Sequence, residues 1–344
     1  MKADIKEYTL EDLEKEFIKK SLPKFTASQV FSWVYKKRVE DFSLMTDISK
    51  VNRHILFKNF YFSKIKILKR EVSEDKTEKF LFGLADDTTI ESVLIPAGSR
   101  NTLCISSQVG CKFFCKFCVS GKFGFRRNLA VSEMVNQYLA IYDLISPAKI
   151  TNIVFMGVGE PLDNFLNVVK TIKIFTEPKG IYLGKSKICI STCGLLPQIE
   201  ELIKLNLDVE LSISLHSPFS KIRSSIMPVN KIYPIEKLIE IAKKFSKINK
   251  KPVTFEYILI KDLNTTKTDA LRLAKLLKGF SYKLNLIPYH PNSFCEFKSP
   301  LQNEIKDFTS ILKEKKVFFT LRKSRGKDIN AACGQLRAYF GGKV

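Results

Sequence analysis

Thr102-Leu-Cys-Ile-Ser106-Ser-Gln-Val-Gly-Cys111-Lys-Phe-Phe-Cys115-Lys-Phe-Cys118 is the stretch that decides the fold. A short apolar strand, Thr102–Ser106, runs straight into three cysteines spaced C-x3-C-x2-C. Thiolates so close on one tight loop can converge on one metal centre. A structural zinc would want four ligands and a closed tetrahedron. No fourth Cys or His follows at ligand spacing, and the chain's only histidines are His54, His216 and His290. Three cysteines suit a [4Fe–4S] cluster with one iron left open for a substrate or cofactor. Zinc is the alternative.

Downstream, short apolar strands alternate with helical patterns. The strands read as Thr102–Ser106, Asn152–Met156, Lys187–Ser191, Val209–Ser214, Val253–Leu259 and Lys283–Ile287, with Val317–Leu321 as a seventh. Helices fall between them at Val131–Leu144, Asn164–Phe175, Leu196–Leu205, Pro234–Phe245, Lys267–Leu277 and Gln302–Lys313. Six βα units in a row predict an α/β fold with a parallel sheet and crossover helices outside. No GxGxxG turn follows the first strand, so a partial (β/α)6 barrel fits better than a doubly wound sheet. Chemistry in such a fold sits at the strand C-termini.

Upstream, the texture differs. Thr26 and Gln29 read as a capping box opening a helix with Val30, Phe31 and Val34 inside and Lys36, Lys37 and Arg38 outside. A second helix is predicted over Met45–Phe57, then two or three strands within Phe60–Lys69, Lys79–Leu84 and Thr88–Pro96 with a turn at Asp86-Asp87. The division that follows is a small N-terminal accessory domain over 1–96, helical and then in short strands. A barrel core over 97–327 and a C-terminal tail over 328–344 come next.

The 344 residues are 45% apolar and 27% charged, an ordinary globular composition that excludes a disordered, collagenous or coiled-coil chain. No apolar run is long enough to span a bilayer. The charged start MKADIKEYTLEDLEKEF has no signal-peptide core, which predicts a cytoplasmic protein that does not engage a membrane. Lys+Arg number 57 against 35 Asp+Glu, a net charge of +22, the footprint of a nucleic-acid binder. Eight cysteines in a reducing compartment are too few for a disulfide scaffold and read as metal-binding or catalytic where they cluster.

The three-cysteine loop after strand one of a six-fold barrel resembles the radical SAM superfamily. Further segments narrow the likeness: Leu103–Cys111, Gly124–Leu129, Phe155–Leu162 (FMGVGEPL), Ser191–Gly194 (STCG), Ser214–Pro218 (SLHSP) and Arg325–Leu336 (RGKDINAACGQL). In order, and over nearly the whole chain, these are similar to the RlmN family of adenine-C2 methyltransferases. That resemblance implies a radical SAM barrel, a [4Fe–4S] cluster on Cys111, Cys115 and Cys118, and two molecules of S-adenosylmethionine (SAM) per turnover. It implies methylation of C2 of adenine in 23S rRNA and in tRNA, beside the anticodon. Electrons would come from a donor such as flavodoxin, and the enzyme is expected to be a monomer.

Residue by residue, the resemblance makes Cys333 the S-methylcysteine intermediate, Glu91 the acceptor of the C2 proton, and Cys104 the resolving thiol. Cys104 would release the RNA crosslink through a transient disulfide with Cys333. Unaided by the likeness, Cys104 reads as a core thiol, Glu91 as an exposed strand residue and Cys333 as inert. The implied SAM contacts are Gly159, Glu160, Ser191, Ser214, Leu215, His216 and His290. His290 stands where the family pattern has Asn, and Cys193 where it has Ser. Cys189, Cys193 and Cys295 receive no chemistry.

Lys112, Lys116, Lys122, Arg126 and Arg127 surround the cysteine loop with no acid among them, and six basic residues follow Val317. Both groups are expected at the barrel mouth, holding RNA phosphates. Phe113, Phe114, Phe117, Phe123 and Phe125 are expected to pack against the cluster and exclude water. The target base must leave its stack to reach a deep site. Lys36-Lys37-Arg38 offers a further RNA contact or a solvated helix face. Two rival functions remain: a Cfr-type enzyme methylating adenine C8, and a non-catalytic iron–sulfur or zinc RNA-binding protein.

Overall fold

The computed structural model describes residues 2–332 and 334–337. The N-terminal unit pairs β1 (Ala3–Asp4) with β2 (Phe60–Tyr61) and carries α1 (Leu10–Lys19), α2 (Lys24–Tyr35) and α3 (Lys50–Asn59). Thr9 caps α1 by accepting from Asp12 N–H, and Ser49 caps α3 by accepting from Asn52 N–H. The capping box expected at Thr26 is not there. Pro23 opens α2, Thr26 is fully buried within it, and the helix starts before the expected cap. The second helix is also later than expected, because Phe42–Leu44 forms a separate short turn.

This unit is bound firmly to the rest. Glu7 caps the next long helix, α4 (Val131–Leu144), accepting from the N–H groups of Val131 and Ser132 at 3.2 and 2.8 Å. Lys6, 1% exposed, donates to Glu40 at 2.6 Å and to Asn136 of α4 at 2.8 Å.

One ten-stranded sheet organises the molecule. Its first three strands, β3 (Lys66–Val72), β4 (Glu78–Gly83) and β5 (Thr89–Ala97), are antiparallel. They lead without a break into β6 (Arg100–Cys104), which pairs with β5 on one side and with β9 (Asn152–Phe155) on the other. From β6 onward every step is parallel: β9, β10 (Ile188–Thr192), β11 (Glu210–Ser214), β12 (Val253–Leu259), β13 (Tyr282–Pro288) and the two-residue β14 (Thr320–Leu321). The crossovers carry α5 (Phe165–Thr176), α6 (Leu196–Leu205), α7 (Ser220–Ile226), α8 (Ile235–Asn249), α9 (Lys267–Leu276) and α10 (Gln302–Glu314). A separate ribbon of β7 (Gln108–Gly110) and β8 (Phe125–Asn128) brackets the cysteine loop.

Strand pairing divides the sheet into two faces. Leu103, Ile153, Phe155, Ile188, Ile190, Leu211, Ile213, Phe255, Leu284 and Leu286 are all at most 1% exposed and form the apolar face. The opposite face is polar. Register runs Lys79–Val93–Cys104–Val154–Cys189 across five strands, with Ser191–Ser212–Thr254 and Ser214–Glu256–Asn285 continuing it. Glu91 lies two residues from Val93 and shares that face. A burial-driven fold gives the apolar face to the helices and leaves the polar face for a ligand. Among the described residues no helix is long and apolar enough to cross a membrane.

Candidate active site

The cysteine loop is held by three anchors. Gly110 ends β7 with φ +80, and a Cβ there would lie 2.0 Å from Gly124 O, so only glycine closes the ribbon. Cys111 N–H then donates to Gly124 O at 2.7 Å. Cys118 N–H donates to Cys115 O at 3.0 Å, making the turn that brings the last two thiols together, and Lys116 N–H donates to Ile226 O of α7 at 2.9 Å.

The three thiols are half-buried and near enough to feel one another's charge. Burial pushes Cys111 up to about 12, and the neighbouring Cys118 adds to the rise. Cys115 and Cys118 are raised too, chiefly by burial; for Cys115 the other two thiols add to it, whereas the Ser120 hydroxyl and the Ser120 and Gly121 amides offset part of the rise at Cys118. Three mutually repelling, desolvated thiolates need a multiply charged cation among them, and its binding would expel their protons. A donor set of three soft sulfurs fits an iron–sulfur cluster and leaves one iron without a protein ligand. Among the described residues no group of three His, Cys, Asp or Glu side chains is arranged for a single metal ion.

Beside the loop, β9 ends in Gly157-Val-Gly159-Glu160. A Cβ on Gly157 would meet the Ile105 backbone at 2.6 Å, and one on Gly159 (φ +104) would lie 2.5 Å from Gln108 Cβ. These contacts press the segment against β6 and β7 and turn Glu160 inward. Glu160 is 4% exposed, accepting from Leu162 N–H at 3.1 Å and Cys193 N–H at 2.7 Å. Burial raises its carboxyl pKa, and the Cys193 and Thr192 donors offset part of the rise. No ion pair to it exists among the described residues, so it suits a small cation that arrives with a ligand.

The remaining implied contacts come to the same end of the sheet. Ser191 and Ser214 are half-buried on the polar face of β10 and β11. Leu215 is buried, and its N–H donates to Glu256 O. His216 has φ +56, and its Nδ1 accepts from Ile258 N–H at 3.1 Å, which leaves the proton on Nε2. Burial and then Arg223 hold its pKa down at about 3, so it stays neutral. Phe117 packs edge-on against it at 4.6 Å. His290 follows β13, half-buried.

Glu91, on β5, is 4% exposed rather than a surface residue. Its Oε1 lies 3.6 Å from Lys79 Nζ, and its Oε2 accepts from Arg337 N–H at 2.7 Å. Burial raises its pKa; Lys79 and Arg337 pull it back. Cys104, 6% exposed on β6, shares its face of the sheet. Cys333 lies outside the described residues. Two of the described residues after it are anchored to the cysteine loop: Gly334 O accepts from Val119 N–H and Leu336 O from Ser120 Oγ, both at 2.7 Å.

The basic loop residues divide in two. Lys112 pairs with Asp163 at 2.7 Å, and Arg127 pairs with Asp86 at 2.8 Å and Glu133 at 2.7 Å. Acids outside the loop therefore neutralise two of the five cations expected on RNA. Lys116, Lys122 and Arg126 remain exposed. Arg38 likewise pairs with Asp143. Phe117 is buried as expected, whereas Phe114 and Phe125 are exposed at 57% and 38%. Arg223, on the short helix α7, was not among the expected site residues; seven residues are too few to show a helical period.

The Radical SAM superfamily matches residues 105–274, and the ribosomal RNA large subunit methyltransferase N-terminal domain matches residues 3–61. The chain is 43% identical to a probable dual-specificity RNA methyltransferase RlmN of Fervidobacterium nodosum, over 99% of each. It is 42% identical to a dual-specificity RNA methyltransferase RlmN of Geotalea uraniireducens, over 98% of this chain and 97% of the relative. The chain belongs to the RlmN family. A crystal structure of a radical SAM methyltransferase from Sphaerobacter thermophilus has the same fold, with TM-score 0.91 and 37% identity over 97% of this chain and 99% of that one. The partial (β/α)6 radical SAM barrel expected from the sequence is thus the observed fold. This RlmN-family chain is a radical SAM RNA methyltransferase, of a family that uses a [4Fe–4S] cluster and SAM.

Proposed function

We propose that this enzyme methylates C2 of adenine in 23S rRNA and in tRNA, beside the anticodon. One observation carries the reading. The polar face of the sheet bears Glu91 and Cys104 together, and the chain after position 333 runs from the cysteine loop to Glu91.

C2 of adenine is electron-poor and bears no acidic proton, so the methyl carbon must arrive as a radical. Cys111, Cys115 and Cys118 would hold the cluster, which would supply the electron that cleaves one SAM to a radical able to activate a methyl group; Cys333 would take that methyl group by displacement from another SAM. The reductive step calls for a one-electron donor such as flavodoxin.

Glu160 receives the SAM ammonium, relieving its unpaired burial. Gly159 lets the ligand approach the backbone. Ser191, Ser214, Leu215, His216 and His290 flank the ligand at the strand ends, with His216 donating from Nε2. Phe117 closes the pocket over His216 and keeps water from the radical. Cys333 delivers the carbon to C2 and is left joined to the base. Glu91, held by Lys79, takes the C2 proton, while the surplus electron of the radical adduct would return to the cluster. The Cys104 thiolate then attacks the alkylated sulfur; the carbon–sulfur bond breaks with its electron pair passing to the base-linked carbon, which takes up a proton to become the methyl group, and a Cys104–Cys333 disulfide remains for an external reductant to reset. Lys116, Lys122 and Arg126 hold RNA phosphates at the mouth.

Anaerobic turnover of the reconstituted enzyme on unmodified ribosomal RNA and tRNA, followed by mass spectrometry of nucleosides, tests the reading. 2-Methyladenosine is expected. 8-Methyladenosine, or RNA bound with no SAM consumed, would overturn it.

A further inference from the structure

Arg223 is the largest fully buried side chain among the described residues, and it is charged. Its guanidinium donates to Leu215 O at 3.1 Å, Asn230 Oδ1 at 2.8 Å, Cys193 O at 2.8 Å and Ser214 O at 3.0 Å. All four acceptors are neutral. Among the described residues no carboxylate pairs with it. Burial brings its pKa down only to about 10, so the charge persists at neutral pH. A buried cation solvated by dipoles alone is expensive unless a counter-charge comes near.

Cys115, one of the three cluster cysteines, lies near enough for a negative charge on its sulfur to stabilise the guanidinium. Helix α7, which carries Arg223, is hydrogen-bonded to the cysteine loop through Ile226 O and Lys116 N–H at 2.9 Å. The guanidinium thus stands behind the loop and braces the strand ends that carry Ser214 and Leu215. Asn230 fixes it from the far side. Asn230 itself is 2% exposed and donates to Ser220 and Ser224, so the arrangement is rigid.

We propose that Arg223 is a positioning residue whose buried charge faces the three-thiolate cluster site and favours the cluster's reduced state. The inference rests on Cys111, Cys115 and Cys118 holding the cluster. Each electron taken up by the cluster adds one negative charge, and a fixed cation in a low-dielectric setting stabilises that charge more than it would in water. Its location lets it do so without touching SAM or RNA.

The test is an EPR-monitored redox titration of the reconstituted holoprotein without SAM, comparing wild type with Arg223→Gln, Arg223→Lys and Asn230→Asp. Arg223→Gln removes the charge. It should lower the ratio of reduced to oxidised cluster at fixed poise at least tenfold, about 59 mV for one electron. Arg223→Lys keeps the charge and should stay much nearer to wild type. Asn230→Asp sets a carboxylate against the guanidinium and should lower the ratio in the same direction, which decides the matter if Arg223→Gln does not fold. Potentials unchanged in Arg223→Gln and Asn230→Asp, or an equal fall in Arg223→Lys and Arg223→Gln, would overturn the assignment. A wild-type holoprotein without an iron–sulfur signal would instead refute the cluster site, and the inference with it.

Discussion

The backbone N–H of Arg337 donates to Glu91 Oε2 at 2.7 Å, tying the C-terminal segment to strand β5. The other oxygen lies 3.6 Å from Lys79 Nζ, and Lys79 also pairs with Glu71 at 3.1 Å. The carboxylate is therefore held on both sides, in a place only the assembled sheet creates.

Glu91→Gln keeps an acceptor for Arg337 but cannot take a proton. Single-turnover methylation should fall by about 10² to 10⁴, with an unchanged circular dichroism spectrum and normal SAM binding. A rate within a few-fold of wild type would remove Glu91 from the proton transfer.

The pH dependence follows from the same pair. Burial raises the Glu91 pKa above its usual 4.5, and Lys79 counteracts the rise. Activity needs the ionised form, so it should be lost as pH falls through the raised value. Lys79→Met removes a cation, favours the neutral acid and should move that acid limb to higher pH. An acid limb in the same place in both proteins would contradict the coupling.

Glu160 predicts a trade between stability and function. Burial raises its pKa in the fold, so its contribution is fully present below the unfolded-state value and is lost as pH rises through the folded one. Glu160→Gln should therefore raise the melting temperature of the cofactor-free protein at pH 7 while leaving it nearly unchanged in acid. SAM affinity, measured by equilibrium dialysis, should drop about 10- to 100-fold, as loss of a charge-assisted hydrogen bond implies. Unaltered affinity would place the ammonium elsewhere.

Gly110→Ala would set a methyl group 2.0 Å from Gly124 O at a positive φ. Strain of about 1–3 kcal/mol is expected at such a site. Iron incorporation on reconstitution should fall, with a lower melting temperature. Full incorporation would mean that the β7–β8 ribbon does not shape the loop.

Cys104→Ala should stop the reaction after carbon–carbon bond formation. A protein–RNA adduct should then accumulate on denaturing gels. Free methylated RNA at wild-type yield would deny Cys104 its role.

Much of the barrel was legible because its strands are continuous apolar runs between helical periods: Val253–Leu259, Val131–Leu144 and Leu196–Leu205 are found as read from the sequence. Short elements were not. The three-residue β7 and seven-residue α7 carry no period, so the ribbon around the cysteines and the buried Arg223 stayed hidden. The cysteine loop announced itself by spacing alone. Glu91 and Cys104 owe their shared face to pairing across β4, β5 and β6, a long-range register that neither residue's neighbours reveal. Likewise, the acids that neutralise Lys112 and Arg127 come from Asp163, Asp86 and Glu133, which charge counting along the cysteine loop does not connect to it.

The most direct measurement is Mössbauer spectroscopy of the protein reconstituted anaerobically with iron-57, before and after adding SAM. About four irons per chain are predicted, of which one changes its spectrum when SAM binds, and none remain after Cys111, Cys115 and Cys118 are replaced together by Ala. Bound zinc in their stead, or four irons indifferent to SAM, would contradict the account.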